Sequence, residues 1–157
     1  MSGPAPGDGE PFDGGRAGAT AALDAIAPLL TCDDAVVRAG TAYLLGRLGQ
    51  ADEVLAPAVR AKLVEAAADE IDDSVIGALA AAVSAAGMGV DEARALMRLG
   101  PTLRRIGVYH LAMVATARPE DEPVRQALVA AGDDPDPQVR WWARFGLDTA
   151  GGGDLPT

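Results

Sequence analysis

The sequence has one cysteine and one histidine in 157 residues, and a single lysine, Lys62. Each scarcity closes a class of chemistry. One cysteine permits no internal disulfide, which fits a reducing, cytoplasmic setting. One histidine and one cysteine cannot close a zinc site. Aromatics make up only 4% of the chain, two each of Trp, Tyr and Phe, and strands favour aromatic and β-branched residues. No stretch reaches the ~18 unbroken apolar residues of a spanning helix; residues 78–90 are apolar but short and alanine-rich. Residues 1–18 carry Gly, Pro and acid where a secretory leader has a basic start and an apolar run. Neither a Gly-x-x-x-x-Gly-Lys loop nor a Gly-x-Ser-x-Gly elbow occurs. No cofactor, metal or catalytic constellation is expected.

What is present is alanine and acid. Hydrophobic residues are 49% of the chain, many of them alanine, the best helix former. Asp and Glu number 23 against 13 Lys and Arg, for a net charge of −10. That balance disfavours phosphate backbones and anionic membranes. The length suits one domain with a core of its own.

One stretch organises the rest. In residues 33–49, Val37, Leu44, Leu45 and Leu48 form an apolar helical stripe, with small Gly40 and Thr41 between them. Asp33 or Asp34 caps its start and Gly49 ends it. Related stretches begin at Asp73, Pro101 and Asp136, and the anchors Val37, Val75, Leu103 and Val139 recur 38, 28 and 36 residues apart. A second helix is expected ahead of each copy, at 17–30, 52–69, 91–99 and 120–131, with Pro28 and Pro57 starting or kinking two of them. Asp/Gly/Pro-rich linkers separate the helices. The expectation is an all-α superhelix of four helical hairpins, about eight helices, over residues 17–150. Residues 1–16 read as a disordered arm and 151–157 as a disordered tail.

The pattern Asp-x-x-Val-Arg, then small residues and Leu-Gly-x-Leu-Gly, nearly whole at 34–49, resembles the HEAT repeat, in particular its bacterial lyase-type variant. The copy at 136–147 matches at its start; the second has Ile76 where the arginine stands, and the third has Arg104 but no preceding acid. The resemblance implies motif helices lining a concave side and an Asp/Arg ladder between repeats, here Asp34, Arg38, Asp136 and Arg140, with Arg104 beside them. It leaves activity open, because such repeats serve many functions.

Applied uniformly, the stripe buries 37, 40, 41, 44, 45 and 48 and their equivalents. It turns outward Ala39, Ala42, Tyr43, Gly46 and Arg47; Gly77, Ala80, Ala81, Ser84 and Ala85; Arg105, Val108, Tyr109, Ala112 and Met113; and Trp141, Arg144, Phe145, Asp148 and Thr149. Trp142 goes to the core. The expected partner-binding set is Tyr43, Arg47, Arg105, Tyr109, Met113, Trp141, Arg144 and Phe145, because aromatics with arginine and few acids make an interface core. The function this suggests is a non-enzymatic scaffold gripping a protein or peptide in an Arg/aromatic-lined groove, as a small inhibitor, immunity or adaptor protein. It would be a monomer, or a dimer through its last repeat. The alternative is a HEAT-like DNA-lesion binder or glycosylase using Trp141, Arg144 and Asp148, or a lyase-type enzyme subunit; the net charge speaks against nucleic acid. His110 reads as a satisfied inward histidine, Cys32 as a buried inert thiol, and the pairs Asp33/Asp34, Asp72/Asp73 and Asp133/Asp134 as helix caps.

Overall fold

The computed structural model describes residues 14–151, apart from the side chain of Arg16. Among the described residues the chain is helix and turn, without strands. Eight helices follow in order: α1 (Gly14–Ile26), α2 (Ala35–Ala51), α3 (Ala56–Ala68), α4 (Asp73–Ala85), α5 (Val90–Leu96), α6 (Pro101–Ala117), α7 (Glu122–Ala131) and α8 (Pro137–Ala150). A 3-10 turn, Ala27–Thr31, joins α1 to α2. Helix α1 therefore takes in the last three residues of the expected arm. The rest of that arm, with Phe12, and residues 152–157 of the expected tail lie outside the described residues.

Local chemistry sets the helix starts. Asp34, Asp72, Asp121 and Asp136 accept amide hydrogen bonds from the first turns of α2, α4, α7 and α8, donors that no helical carbonyl can reach. Asp52 does the same for Val54 and Leu55 ahead of α3, and Pro57, Pro101, Pro123 and Pro137 sit in first turns, where a missing N–H costs nothing. Pro28 opens the 3-10 turn that ends α1. Gly87, at φ +80°, ends α4: its own N–H reaches Ser84 O and the Met88 N–H reaches Val83 O. That pairing needs a left-handed residue, which favours glycine. Helix α5 has seven residues and stops at Leu96, short of the expected 99.

The helices form two layers. Helices α2, α4, α6 and α8 pack side by side in one row. On one face of that row, α3 packs against α2, α4 and α6, α5 against α6, and α7 against α6 and α8. The core between the layers is aliphatic: its largest fully buried side chains are Leu45, Leu63, Leu79, Ile106, Leu111 and Leu128, followed by valines.

Each row helix obeys one register, counted from its capping residue (Asp34, Asp72, Gly100, Asp136) as zero. Positions 10 and 12 meet across each joint; positions 3 and 6 are exposed in α2 and buried or half-buried in the later helices, position 8 is buried in all but α8, positions 7 and 11 are buried or half-buried throughout, and positions 2, 5, 9 and 13 are exposed or half-buried throughout. This corrects the uniform stripe. Among the described residues α2 has no row helix before it, so Val37, Gly40 and Leu44 are exposed where burial was expected, while Ala42 and Gly46 are buried, Gly46 against Ala82 of α4. Ala80, Val108 and Ala112, expected outward, are buried for the same reason: each has a row helix after it.

The joints within the row share one geometry. Gly46 at position 12 of α2 meets Ala82 at position 10 of α4, and Ala112 at position 12 of α6 meets Gly146 at position 10 of α8. A Cβ on Gly46 would lie 2.8 Å from Ala82 Cα, and one on Gly146 2.9 Å from Ala112 Cα. At the middle joint the same two positions hold Ser84 and His110, whose Oγ and Nδ1 are 2.9 Å apart. Ser84, expected to face outward, is half-buried in this pair.

Candidate functional site

The solvent stripe of the row carries the expected surface residues. At position 9 stand Tyr43, Ala81, Tyr109 and Phe145; at position 5, Ala39, Gly77, Arg105 and Trp141; at position 13, Arg47, Ala85, Met113 and Thr149. The bare strip of α4 thus separates one tyrosine on α2 from the aromatic residues of α6 and α8. None of the five described aromatics is buried. Tyr43 is 63% and Trp141 58% exposed, while Tyr109, Phe145 and Met113 are half-buried. Trp142, expected in the core, is also half-buried: it packs against the core and joins the surface group.

That group is a single four-ring cluster. Trp141 stacks on Phe145 with centroids 5.6 Å apart, and Trp142 sits edge-on to Tyr109, Trp141 and Phe145 at 4.7, 4.6 and 5.5 Å. Offset-stacked and edge-on arrangements are the ones ring quadrupoles favour. Tyr43 has no ring partner among the described residues and stands apart on α2.

The expected groove arginines divide. Arg47 is exposed and donates to Gln50 Oε1 at 2.7 Å. Arg144 is exposed on α8, with neither an ion pair nor a hydrogen bond among the described residues. Arg105 is not a groove residue in the sense expected. Its Nε donates to Asp136 at 2.6 Å and its Nη1 to Asp73 at 2.7 Å, tying the starts of α4 and α8 together through α6. Its position 5 places the guanidinium between two acidic helix starts, and a fork with several N–H donors satisfies both.

The inter-repeat ladder also differs from expectation. Asp34 caps its own helix and reaches no neighbouring helix among the described residues. Arg38, at position 4, donates through Nε and Nη2 to Glu70 at 2.7 and 3.1 Å, and through Nη1 to the carbonyls of Cys32 and Asp33. Arg104, also at position 4, pairs with Asp134 at 3.4 Å. Glu70 and Asp134 each stand two residues before a capping aspartate. Each accepts from the loop amides, Glu70 from Ile71 and Asp72 and Asp134 from Asp136. The acids of the ladder are thus Glu70, Asp73 and Asp134 with Asp136, and the repeated acid-x-Asp spelling at 70–72 and 134–136 is the signal that marks two of them. Of the three expected acid pairs, Asp34 and Asp72 cap helices, whereas Asp136, and not Asp133 or Asp134, caps α8.

These contacts move ionisation equilibria. The hydrogen bond from Arg38, helped by the Asp72 and Ile71 amides, holds the Glu70 carboxyl below its ordinary range despite burial. Burial pushes the Asp136 carboxyl up, but the hydrogen bonds from Arg105 and from the Gln138 amide outweigh it, leaving the carboxyl low. Burial pushes the His110 imidazole below its ordinary value, against the opposing charge of Glu92. His110 is 7% exposed, and its Nδ1 partner Ser84 joins two helices, a structural placement. The free thiol of Cys32 is half-buried, where full burial was expected. Among the described residues no group of three His, Cys, Asp or Glu could hold a metal ion, and no helix is long and apolar enough to cross a membrane.

At the free edge of α8, Gly132, Pro137, Arg140, Trp141, Arg144, Leu147 and Asp148 line a hollow of about 450 Å³. It adjoins the ring cluster through Trp141. Compared with known protein families, curated proteins and solved structures, the chain matches none.

Proposed function

We propose that the chain is a non-catalytic, HEAT-like scaffold that binds a protein or peptide partner on the solvent stripe of its row helices, in the manner of a small inhibitor or adaptor. The observation that carries this reading is where the aromatics sit. An aliphatic core fills the space between the layers, and none of the five described rings is buried in it. Four of those rings are gathered into one cluster that leaves Trp141 more than half exposed. Clustered exposed aromatics beside arginine are the composition of interface anchors. The small residues Gly77, Ala81 and Ala85 between Tyr43 and that cluster leave room for a partner side chain to lie across α4. The test is capture from an extract of the native host with the wild-type chain and with Tyr43→Ala/Trp141→Ala. Loss of a specific partner in the double variant, with the helical circular-dichroism signal and melting transition retained, is expected. Equal capture by both would overturn the site.

A further inference from the structure

At α8, the last helix described, the ladder position is unfilled among the described residues. Inside the fold, Arg38 is held by its Nη1 on the carbonyls six and five residues before it, Cys32 and Asp33, and turns its other edge to Glu70 of the next hairpin. Arg140 occupies the same position 4 of α8 and repeats the first half of that arrangement: its Nη1 donates to Asp134 O at 2.7 Å and Pro135 O at 3.0 Å. Among the described residues no hairpin follows α8, and the Nε and Nη2 edge of Arg140 has no acceptor. Arg144, one turn on, is likewise without one, and both line the hollow beside Trp141.

We propose that this edge captures a carboxylate of an acidic segment in a partner protein, docked on Arg140 as Glu70 docks on Arg38, with Arg144 as the second cation and Trp141 as its apolar wall. This rests on the protein-binding reading above and adds the chemistry of the partner. Charge complementarity carries it: an oriented, carbonyl-braced guanidinium and a neighbour without a charge partner among the described residues make a two-cation site on a chain whose net charge is −10. The one acid in the hollow, Asp148, lies eight residues from Arg140, about 12 Å along the helix, and leaves the Arg140 end open. A second copy of this chain is a poor occupant. Stacked in the register of the row, its Leu44 would fall at the place of Ala82, His110 and Gly146, opposite Asp148. Its residue two before the cap would be Cys32, where the ladder needs an acid.

The test uses the full chain, with 15N-labelled arginine and tryptophan side chains, titrated with the capped peptide Glu-Ile-Asp-Asp-Ser-Val, the ladder segment of residues 70–75. The expected result is a saturable shift of the Arg140 Nε–H and the Trp141 indole N–H, with a dissociation constant of about 1 mM for so short a ligand. Affinity should fall at least about fivefold in Arg140→Gln, and by a similar factor when the peptide's Glu becomes Gln. Lys62→Gln, on α3 and outside the hollow, should leave the titration unchanged; the titration needs no host partner, so its failure and failure of the capture experiment are told apart. Equal binding by Arg140→Gln, no response to the peptide, or binding of a ten-nucleotide oligothymidylate in its place would each overturn the proposal.

Discussion

The two outer joints of the helix row differ from the middle one in chemistry and agree in register. Between α2 and α4, and between α6 and α8, a glycine faces an alanine so closely that even one added carbon has no place. Between α4 and α6 the same positions accommodate a serine and a histidine, joined by a single hydrogen bond. The outer joints swap the roles of the two helices, glycine first in one and second in the other, so the requirement lies in the summed bulk of the pair. The difference teaches that the repeat is a geometric rule with two solutions, one of bare contact and one of a satisfied polar pair. The two should fail under different insults.

The largest effect is expected from filling an outer joint. Gly46→Val would drive its side chain into the backbone of Ala82, which cannot swing away as a side-chain tip would. The better helix propensity of valine over glycine offsets only a few tenths of a kcal/mol. A loss of about 3 kcal/mol or more is expected from overpacking, read as a lower urea midpoint at unchanged slope. Ser84→Ala at the middle joint should cost only about 1 kcal/mol, the scale of one hydrogen bond. Equal costs would mean that the two solutions are not distinct.

Next comes the tie that spans the middle joint from outside. Arg105 on α6 joins Asp73 at the start of α4 to Asp136 at the start of α8. Arg105→Ala should cost about 1–2 kcal/mol, because the half-buried Asp136 loses its partner. Arg105→Lys should recover less than half, since one ammonium does not reproduce a fork that serves two acids. Full rescue by lysine would reduce this tie to simple charge.

How much of this was readable in the chain follows from the same comparison. The four copies, the Asp-led starts, the proline positions and the short third hairpin are local signals, carried by spacing and by capping chemistry, and the structure has them. Residues whose environment depends on a neighbouring helix were read less well. Leu44 and His110 hold the same position 10, yet Leu44 is exposed because α2 opens the row, and His110 is buried because α4 precedes it. A single phase applied to all copies cannot separate them. Arg105 looked like Arg144 in sequence; only the stacking of hairpins sets two acidic helix starts around the first and none around the second. Glu70 falls in the linker between α3 and α4, and the acid-x-Asp spelling it shares with Asp134 is the local signal that marks both.

A smaller effect separates the joints by pH. The folded-state pKa of His110 is below its ordinary value, so as pH falls the unfolded chain takes up the proton first. Its contribution is full above about pH 6.5 and erodes as pH drops towards the folded-state value. Glu70 and Asp136 are also depressed, and their contribution is full above the ordinary carboxylate range and lost as pH falls from there through their lower folded-state values. Stability measured against pH should therefore fall in two limbs. His110→Gln should remove the upper limb alone and Arg38→Gln should shrink the lower one. A single limb, untouched by His110→Gln, would show that the middle joint does not carry the first loss.

The smallest expected effect bears most on function. Trp141 and Trp142 are adjacent in sequence and touch the same rings, but they sit at positions 5 and 6 of α8, one on the solvent stripe and one on the flank towards α6. Trp141→Ala removes a stacked ring that is more than half in water, and should cost no more than about 1 kcal/mol, the scale of an aromatic pair. Trp142→Ala removes the ring at the centre of the cluster, edge-on to three others and packed against the core, and should cost two to three times as much. If thermal melts of the two variants coincide, Trp141 is an ordinary structural residue and the cluster loses its claim as an anchor. If Trp141→Ala melts like the parent, the chain carries in water a large apolar side chain that its fold does not use, as the proposed partner surface requires.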